Sequence, residues 1–352
     1  MLKRNYLVSF CLMVLCLSYC LKTNAKTFKI NKAVTASFLH KTPAGLPGDK
    51  HIKYFGRWDF SNPQQCVSYW GGAYIKTKFS GTTIALKVGN TSNFYAKIDN
   101  GPWVSYLNKT GTFNLTPIKL KDTIHSIIVA QGKDYDYVFN FQGFILDPGA
   151  ATLKPETSHT LIEYIGDSIT TGYTDAQANV SDYAWIASEN LNCEHIQIAY
   201  PGVNLVSGYK GIGMDEQYFK EKSCKYPASA NWNFKTYKPN IIVINLGTND
   251  NANKIPDSVF QKVYTGFLTR IRATFPRAEI LVMRTFLGLK EAPAIAAVNA
   301  RNAEGDHKVH YIDTTGWLVV KSDDYNDGAH PSNSGHIKAA KMLAPVLYSF
   351  IK

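Results

Sequence analysis

Cysteine is scarce where it could matter. Of six, Cys11, Cys16 and Cys20 fall in the first twenty residues, which leaves Cys66, Cys193 and Cys224. An odd number excludes a fully paired disulfide framework, although Cys193–Cys224 could pair in an exported chain. No C-x-x-C is present, which argues against a zinc knuckle, and no H-E-x-x-H occurs. Asp323, Tyr325 and Asp327 lack the alternating ligands and closing Glu of a calcium loop. No metal or organic cofactor is therefore expected. Charged residues make up 18% and hydrophobic residues 45%, an ordinary globular balance. The net charge is +11, but the lysines are scattered and form no dense basic run, so nucleic acid is not an expected partner. The excess reads as a solubility feature with a bias toward anionic matrices. After residue 21 no apolar run is long enough to cross a bilayer.

The amino terminus is the exception. Lys3 and Arg4 precede an uncharged, mostly apolar run from Tyr6 to Leu21, and Thr23-Asn24-Ala25 offers a cleavage site. This pattern predicts a secretory signal over 1–25 and a secreted, extracellular or periplasmic protein with no stable membrane association afterwards. A membrane anchor is the alternative, and the run is short for one. Lipid attachment at Cys20 is disfavoured by the bulky Tyr19. Cleavage would remove Lys3, Arg4 and Lys22 and leave +8. N-x-S/T triplets at Asn90, Asn108, Asn114 and Asn179 matter only in a host that glycosylates exported proteins.

What is abundant is aromatic and β-branched. Short alternating segments fill the first half: Ala73–Phe79, Thr83–Val88, Phe94–Ile98, Thr123–Ala130 and Tyr135–Leu146. Ser80-Gly81, Gly89-Asn90 and Asp99-Asn100-Gly101-Pro102 punctuate them. The pattern predicts an antiparallel β-sandwich or jelly roll over 26–148. Pro and Gly between Asp147 and Thr157 mark a boundary. From 158 to 352 apolar strands alternate with helical periodicities. Strands are expected at Leu161–Ile165, His195–Ala199, Ile241–Leu246, Glu279–Arg284 and Val309–Ile312. Helices are expected at Asp182–Leu191, Asp257–Phe275, Ala292–Arg301 and Ser332–Ile351, the last capped by Ser332 or Asn333. This alternation predicts a doubly wound α/β fold with a parallel sheet, which binds ligands at the carboxyl ends of its strands.

Three polar motifs fall at that edge. Gly166-Asp167-Ser168 follows the first strand and could offer the Ser168 hydroxyl as nucleophile, with its amide near a following helix. The bland reading is a helix cap at Asp167 or Ser168. Asn245-Leu246-Gly247-Thr248-Asn249-Asp250 follows the third strand, where the Asn249 amide could donate to an oxyanion; the bland reading is a turn. Asp327-Gly328-Ala329-His330-Pro331 precedes the last helix, with Asp327 spaced to reach the imidazole of His330. Here the bland reading is a surface histidine. Asp167 and Asp250 are expected to tie backbone amides and not to carry protons.

Taken together, these motifs resemble the SGNH hydrolases, also called GDSL esterases. Gly166-Asp167-Ser168 matches their first block, Gly247-Thr248-Asn249-Asp250 the third, and Asp327 with His330-Pro331 the fifth. Gly202, in Tyr200-Pro201-Gly202-Val203-Asn204, stands in the position of the second. The two-domain layout is similar to carbohydrate esterase family 2, in which a jelly roll precedes the SGNH domain. Arg57-Trp58-Asp59 and Ser68-Tyr69-Trp70-Gly71-Gly72-Ala73 resemble its N-terminal segment. The resemblance implies a serine esterase removing O-acetyl groups from polysaccharides such as xylan. Ser168, His330 and Asp327 would be catalytic, with Ser168, Gly202 and Asn249 forming the oxyanion hole. Some members lack the acidic residue, which is present here as Asp327. Others carry a Trp beside the histidine where this chain has Gly328-Ala329. Trp317, Tyr173 and Tyr209 are possible sugar-binding aromatics, while Trp58, Trp70 and Trp103 are expected in the core. A lipase or thioesterase acting on longer acyl chains, and a non-catalytic carbohydrate-binding protein, are the competing readings.

Overall fold

Residues 43–132 and 138–351 are described by a computed structural model. The signal-like segment lies outside the described residues.

The first half forms a nine-stranded antiparallel sheet: β1 (Lys53–Phe55), β2 (Trp58–Asp59), β3 (Cys66–Ser68), β4 (Tyr74–Gly81), β5 (Ile84–Ile98), β6 (Val104–Asn114), β7 (Thr123–Gln131), β8 (Phe139–Leu146) and β9 (Thr152–Leu153). The strand order is β1-β4-β7-β5-β8-β3-β2, with β6 on β5 and β9 on β4. β5 pairs with β8 through Ile84–Val88 and with β7 through Phe94–Ile98. It thus belongs to both layers of a jelly-roll sandwich. Ile75, Phe79, Ile127 and Val129 of one layer meet Leu86, Val88, Phe139 and Phe141 of the other.

One expectation fails here and one strand was not expected, both for physical reasons. Gly89-Asn90 is not a turn but the bulged middle of the single strand β5, with register shifts between Val88 and Phe94. The Asn90 side-chain Oδ1 replaces part of the ladder by accepting from Asn140 N at 3.1 Å. β6 went unread because it buries almost nothing, so it carries no apolar alternation.

The second half is a five-stranded parallel sheet: β10 (Leu161–Gly166), β11 (Glu194–Ala199), β12 (Ile241–Asn245), β13 (Glu279–Met283) and β14 (Val309–Ile312), in the order β11-β10-β12-β13-β14. Its helices are α1 (Tyr183–Asn190), α2 (Met214–Gln217), α3 (Thr248–Ala252), α4 (Asp257–Thr274), α5 (Glu291–Ala303) and α6 (Asn333–Tyr348). Strand residues alternate between two cores. Ile165, Ile198, Ile244 and Val282 pack with α4 and α5, whereas Tyr164, Val243, Leu281 and Met283 pack with α1 and α6. Both faces are covered, which is why these strands read as continuous apolar runs. On α4, Phe260, Tyr264, Phe267, Leu268 and Ile271 supply the buried stripe, and the helix stops before Pro276. Ser332 caps α6 by accepting from Gly335 N at 3.2 Å, so Asn333 is not the cap.

Cys193 packs at the α1/α6 core and Cys224 at the α4/α5 core, on opposite faces of the sheet. Both are free, and the pairing considered from sequence is excluded by the sheet between them.

The two sheets share a buried junction. Trp70 leaves the sandwich to pack in the α4/α5 core and donates to the Glu221 carbonyl at 2.9 Å. Tyr74 OH and Lys76 Nζ of β4 both reach Glu194 of β11 at 2.7 Å. Arg57 is fully buried, with its guanidinium over Tyr218, Phe234, Trp70 and Trp232, and lies 3.7 Å from Glu163 of β10.

Candidate active site

Three loops at the carboxyl ends of β10, β11 and β12 meet a fourth before α6. In the first, Gly166 closes β10. Its requirement is not an unusual backbone angle: a Cβ there would lie 2.1 Å from Thr170 Oγ1, so only glycine lets the loop fold back this tightly. No regular helix follows Ser168. The segment is a run of turns closed by Thr171 N to Asp167 O at 3.2 Å and Tyr173 N to Ser168 O at 3.0 Å. The helix expected behind the Ser168 amide is thus replaced by hydrogen-bonded turns. Gly172 and Thr174, both at positive φ, prevent helical continuation.

His330 joins Ser168 to Asp327. Its Nε2 lies 2.9 Å from Ser168 Oγ and its Nδ1 lies 2.8 Å from Asp327 Oδ2. Asp327 Oδ1 also accepts from the backbone amides of Ala329 and His330, each at 2.7 Å. Partial desolvation acts to raise the Asp327 carboxyl, but these amides and the imidazole outweigh it and hold the group below the ordinary carboxylate range. The carboxylate is thereby fixed as the acceptor for one imidazole nitrogen, which leaves Nε2 to face the serine.

The His330 loop is anchored to the Ser168 loop. Asn326 N donates to His330 O at 2.9 Å, and the Asn326 side chain donates to Thr174 O at 3.1 Å. Asn333 Oδ1 accepts from Ala176 N at 3.0 Å. Behind them His336 is fully buried and accepts from Tyr183 N at 3.1 Å. Burial, with a smaller contribution from His330, pushes His336 down to about 3, so it stays neutral.

Gly202 occupies a turn closed by Val203 N to Tyr200 O at 3.3 Å, at φ 77°, a conformation that favours glycine. Buried Asp250 fastens this loop to α3: Oδ2 accepts from Leu205 N at 2.8 Å and Oδ1 from Val206 N at 3.1 Å. Burial pushes the Asp250 carboxyl up to about 6 against the pull of those amides. Asn253 adds a bond to Asn204 Oδ1 at 2.9 Å. Asn249, in the first turn of α3, donates its side-chain amide to Asp167 Oδ2 at 3.2 Å. Asp167 is fully buried and also accepts from Ile169 N at 3.0 Å.

The aromatics separate. Tyr173 is 44% exposed, and its ring centroid lies 5.0 Å from that of His330. Tyr209 is exposed on the loop after β11. Trp317 lies in the α1/α6 core near Phe286 and presents little ring face outward. Sequence reasoning missed the bonds from Asn326, Asn333 and Asn253 that brace the loops. They join residues far apart in the chain and have no local signature. Among the described residues no cluster of three or more His, Cys, Asp or Glu side chains could hold a metal ion.

This geometry is the one a hydrolase of the serine type on a parallel α/β sheet requires. The GDSL-like lipase/acylhydrolase family model matches residues 164–337, and the carbohydrate esterase 2 N-terminal model matches residues 54–155. Residues 164–337, just under half of the chain, thus match the GDSL-type, or SGNH, hydrolases. Its two-domain layout resembles that of the family 2 carbohydrate esterases. It is 28% identical to the cellulase/esterase CelE of Acetivibrio thermocellus, over 83% of this chain, but spans only 38% of that protein's length. It is 27% identical to an acetylxylan esterase/glucomannan deacetylase of Cellvibrio japonicus, covering 88% of this chain and 93% of the relative. A solved family 2 carbohydrate esterase from Clostridium thermocellum in complex with cellohexaose has 27% identity and a TM-score of 0.74. That match covers 85% of this chain and all of the other.

Proposed function

We propose that this protein is an exported esterase that removes O-acetyl groups from a plant or microbial polysaccharide such as xylan. The observation that carries this reading is the continuous hydrogen-bonded path Ser168–His330–Asp327, with Gly202 and Asn249 on adjoining loops. The relatives named for acetylxylan esterase activity support the acyl group and substrate class. Residues 1–25 are read as a cleaved export signal, 26–148 as the sandwich domain and 158–352 as the hydrolase domain.

His330 Nε2 takes the Ser168 proton as Oγ attacks the acetyl carbonyl carbon. The carbonyl electron pair moves onto oxygen, which the amides of Ser168 and Gly202 and the Asn249 side chain stabilise. Each such donor contributes about 3 kcal/mol in the transition state. Collapse breaks the bond to the sugar oxygen, which receives the proton from His330. Water then gives its proton to His330 and attacks the acetyl-serine. Acetate leaves and Ser168 regains its proton. Asp327 holds the imidazole in the required tautomer and stabilises its charged form.

The test compares p-nitrophenyl acetate with the octanoate ester, using wild type and Ser168→Ala, followed by acetate release from acetylated xylan. Fast acetate hydrolysis, poor octanoate hydrolysis and an inactive variant are expected. Octanoate preference would favour a longer-acyl esterase. Equal rates for wild type and variant on both esters would favour a binding protein.

A further inference from the structure

The amino ends of β10, β12, β13 and β14 open on a cleft of about 770 Å³ at the edge opposite Ser168. Its floor is buried and apolar, with Pro239, Phe275 and Ala278, and Phe234 stands beside it. Its rim is cationic. Lys235, Lys238, Arg277 and Lys308 are all exposed, and they come from the separate loops that enter β12, β13 and β14. Among the described residues Glu279 is the one lining carboxylate, and it is already taken by Lys308 at 3.1 Å and His310 at 3.0 Å. Among the described residues no carboxylate lies within ion-pairing distance of the Lys235, Lys238 or Arg277 side chains. The partial negative end of α4 does not offset them, because Arg272 donates to the Phe275 and Ala278 carbonyls at 3.1 and 2.7 Å.

We propose that this cleft is a second carbohydrate site for a uronate-bearing stretch of polysaccharide. Sugar carboxylates face Lys235, Lys238 and Arg277, and the apolar face of a pyranose ring lies against the Phe234–Phe275 wall. Cations spread along an apolar trough suit single charges spaced along a chain. A phosphate cradle would need converging backbone N–H groups, whereas this floor includes Pro239, and Pro276 lines it too, neither of which has one. β10 is six residues long, so the cleft lies about 20 Å from the catalytic edge. It takes no part in chemistry. It tethers the enzyme and raises the local concentration of the substrate chain. This assignment rests on the reading of the substrate as a polysaccharide.

The experiment is affinity electrophoresis of the full chain in gels containing polygalacturonate, unsubstituted xylan or an oligodeoxythymidylate. Wild type is compared with Lys235→Gln/Lys238→Gln/Arg277→Gln and with Arg277→Glu. Polygalacturonate should retard wild type, with at least tenfold weaker binding in the triple variant and weaker binding in Arg277→Glu. p-Nitrophenyl acetate turnover should be unchanged in both. Equal retardation of wild type and variants would overturn the site. So would equally strong retardation by the oligonucleotide, or by neutral xylan, since neither carries a uronate. Loss of ester turnover in wild type would instead remove the esterase reading, because binding is measured separately.

Discussion

The Asn249 side-chain amide and the buried Asp167 carboxyl are joined at 3.2 Å, which couples the loop after β12 to the loop that carries Ser168. Asn249 is therefore not an isolated donor. Its orientation depends on an acid that water does not reach.

That acid should leave a mark on stability. Burial pushes Asp167 up from 3.8 to about 7, with a further rise from Asp250 and opposition from the Ile169 amide and Asn249. Below about pH 4 the group is protonated in both folded and unfolded chains and costs nothing. As pH rises toward 7 the unfolded chain ionises first, so this group reduces stability by up to about 1.4 kcal/mol per pH unit. Above the folded value the loss is constant. Asp167→Asn cannot ionise and escapes this loss. In urea unfolding at matched pH, wild type minus variant stability should fall between about pH 4 and 7 and then level. A difference that stays flat across that window would mean the carboxyl is not held neutral.

Asp327→Asn addresses the imidazole. The variant keeps an oxygen for the amides of Ala329 and His330 but turns an N–H donor toward His330 Nδ1, which selects the wrong tautomer. Turnover on p-nitrophenyl acetate should drop by roughly 10³ to 10⁴, with thermal unfolding little changed. Activity within tenfold of wild type would show that another group orients the histidine.

Legibility followed locality. Ile241–Asn245 is buried along its whole length, and the chain turns polar at Gly247-Thr248-Asn249, so the strand and its polar end were readable together. Asp327 reaches His330 three residues away, and this too is a local spacing. Arg57 was opaque. Its partners are Glu163, Tyr218 and the Lys220 carbonyl, all more than a hundred residues away, and nothing around Trp58 marks the arginine as buried. β6 was opaque for the opposite reason, since a solvated strand has no pattern to read.

The junction at Arg57 should be fragile to half-removal. Its NH1 donates to the Tyr218 and Lys220 carbonyls at 2.5 Å, while Tyr218 and Tyr237 donate to Glu163 at 2.9 and 2.6 Å. Arg57→Ala strands a fully buried carboxylate and should cost roughly 3–5 kcal/mol in chemical denaturation. Arg57→Met combined with Glu163→Gln removes both charges and should recover a measurable part of that loss. A double variant as unstable as Arg57→Ala would place the cost in lost packing within the aromatic cage instead.

Tyr173 separates sugar recognition from chemistry. Its ring stands 5.0 Å from the His330 ring, tilted by 53°, and nearly half of the residue is open to solvent. A pyranose whose acetyl group reaches Ser168 would pass over this ring. Tyr173→Ala should raise KM for an acetylated xylo-oligosaccharide by roughly tenfold, equivalent to about 1.4 kcal/mol of binding. It should leave kcat on p-nitrophenyl acetate within about threefold, because that ester has no sugar to contact. An equal fall in kcat on both substrates would show that the ring works by holding His330 in place, since positioning affects every ester alike.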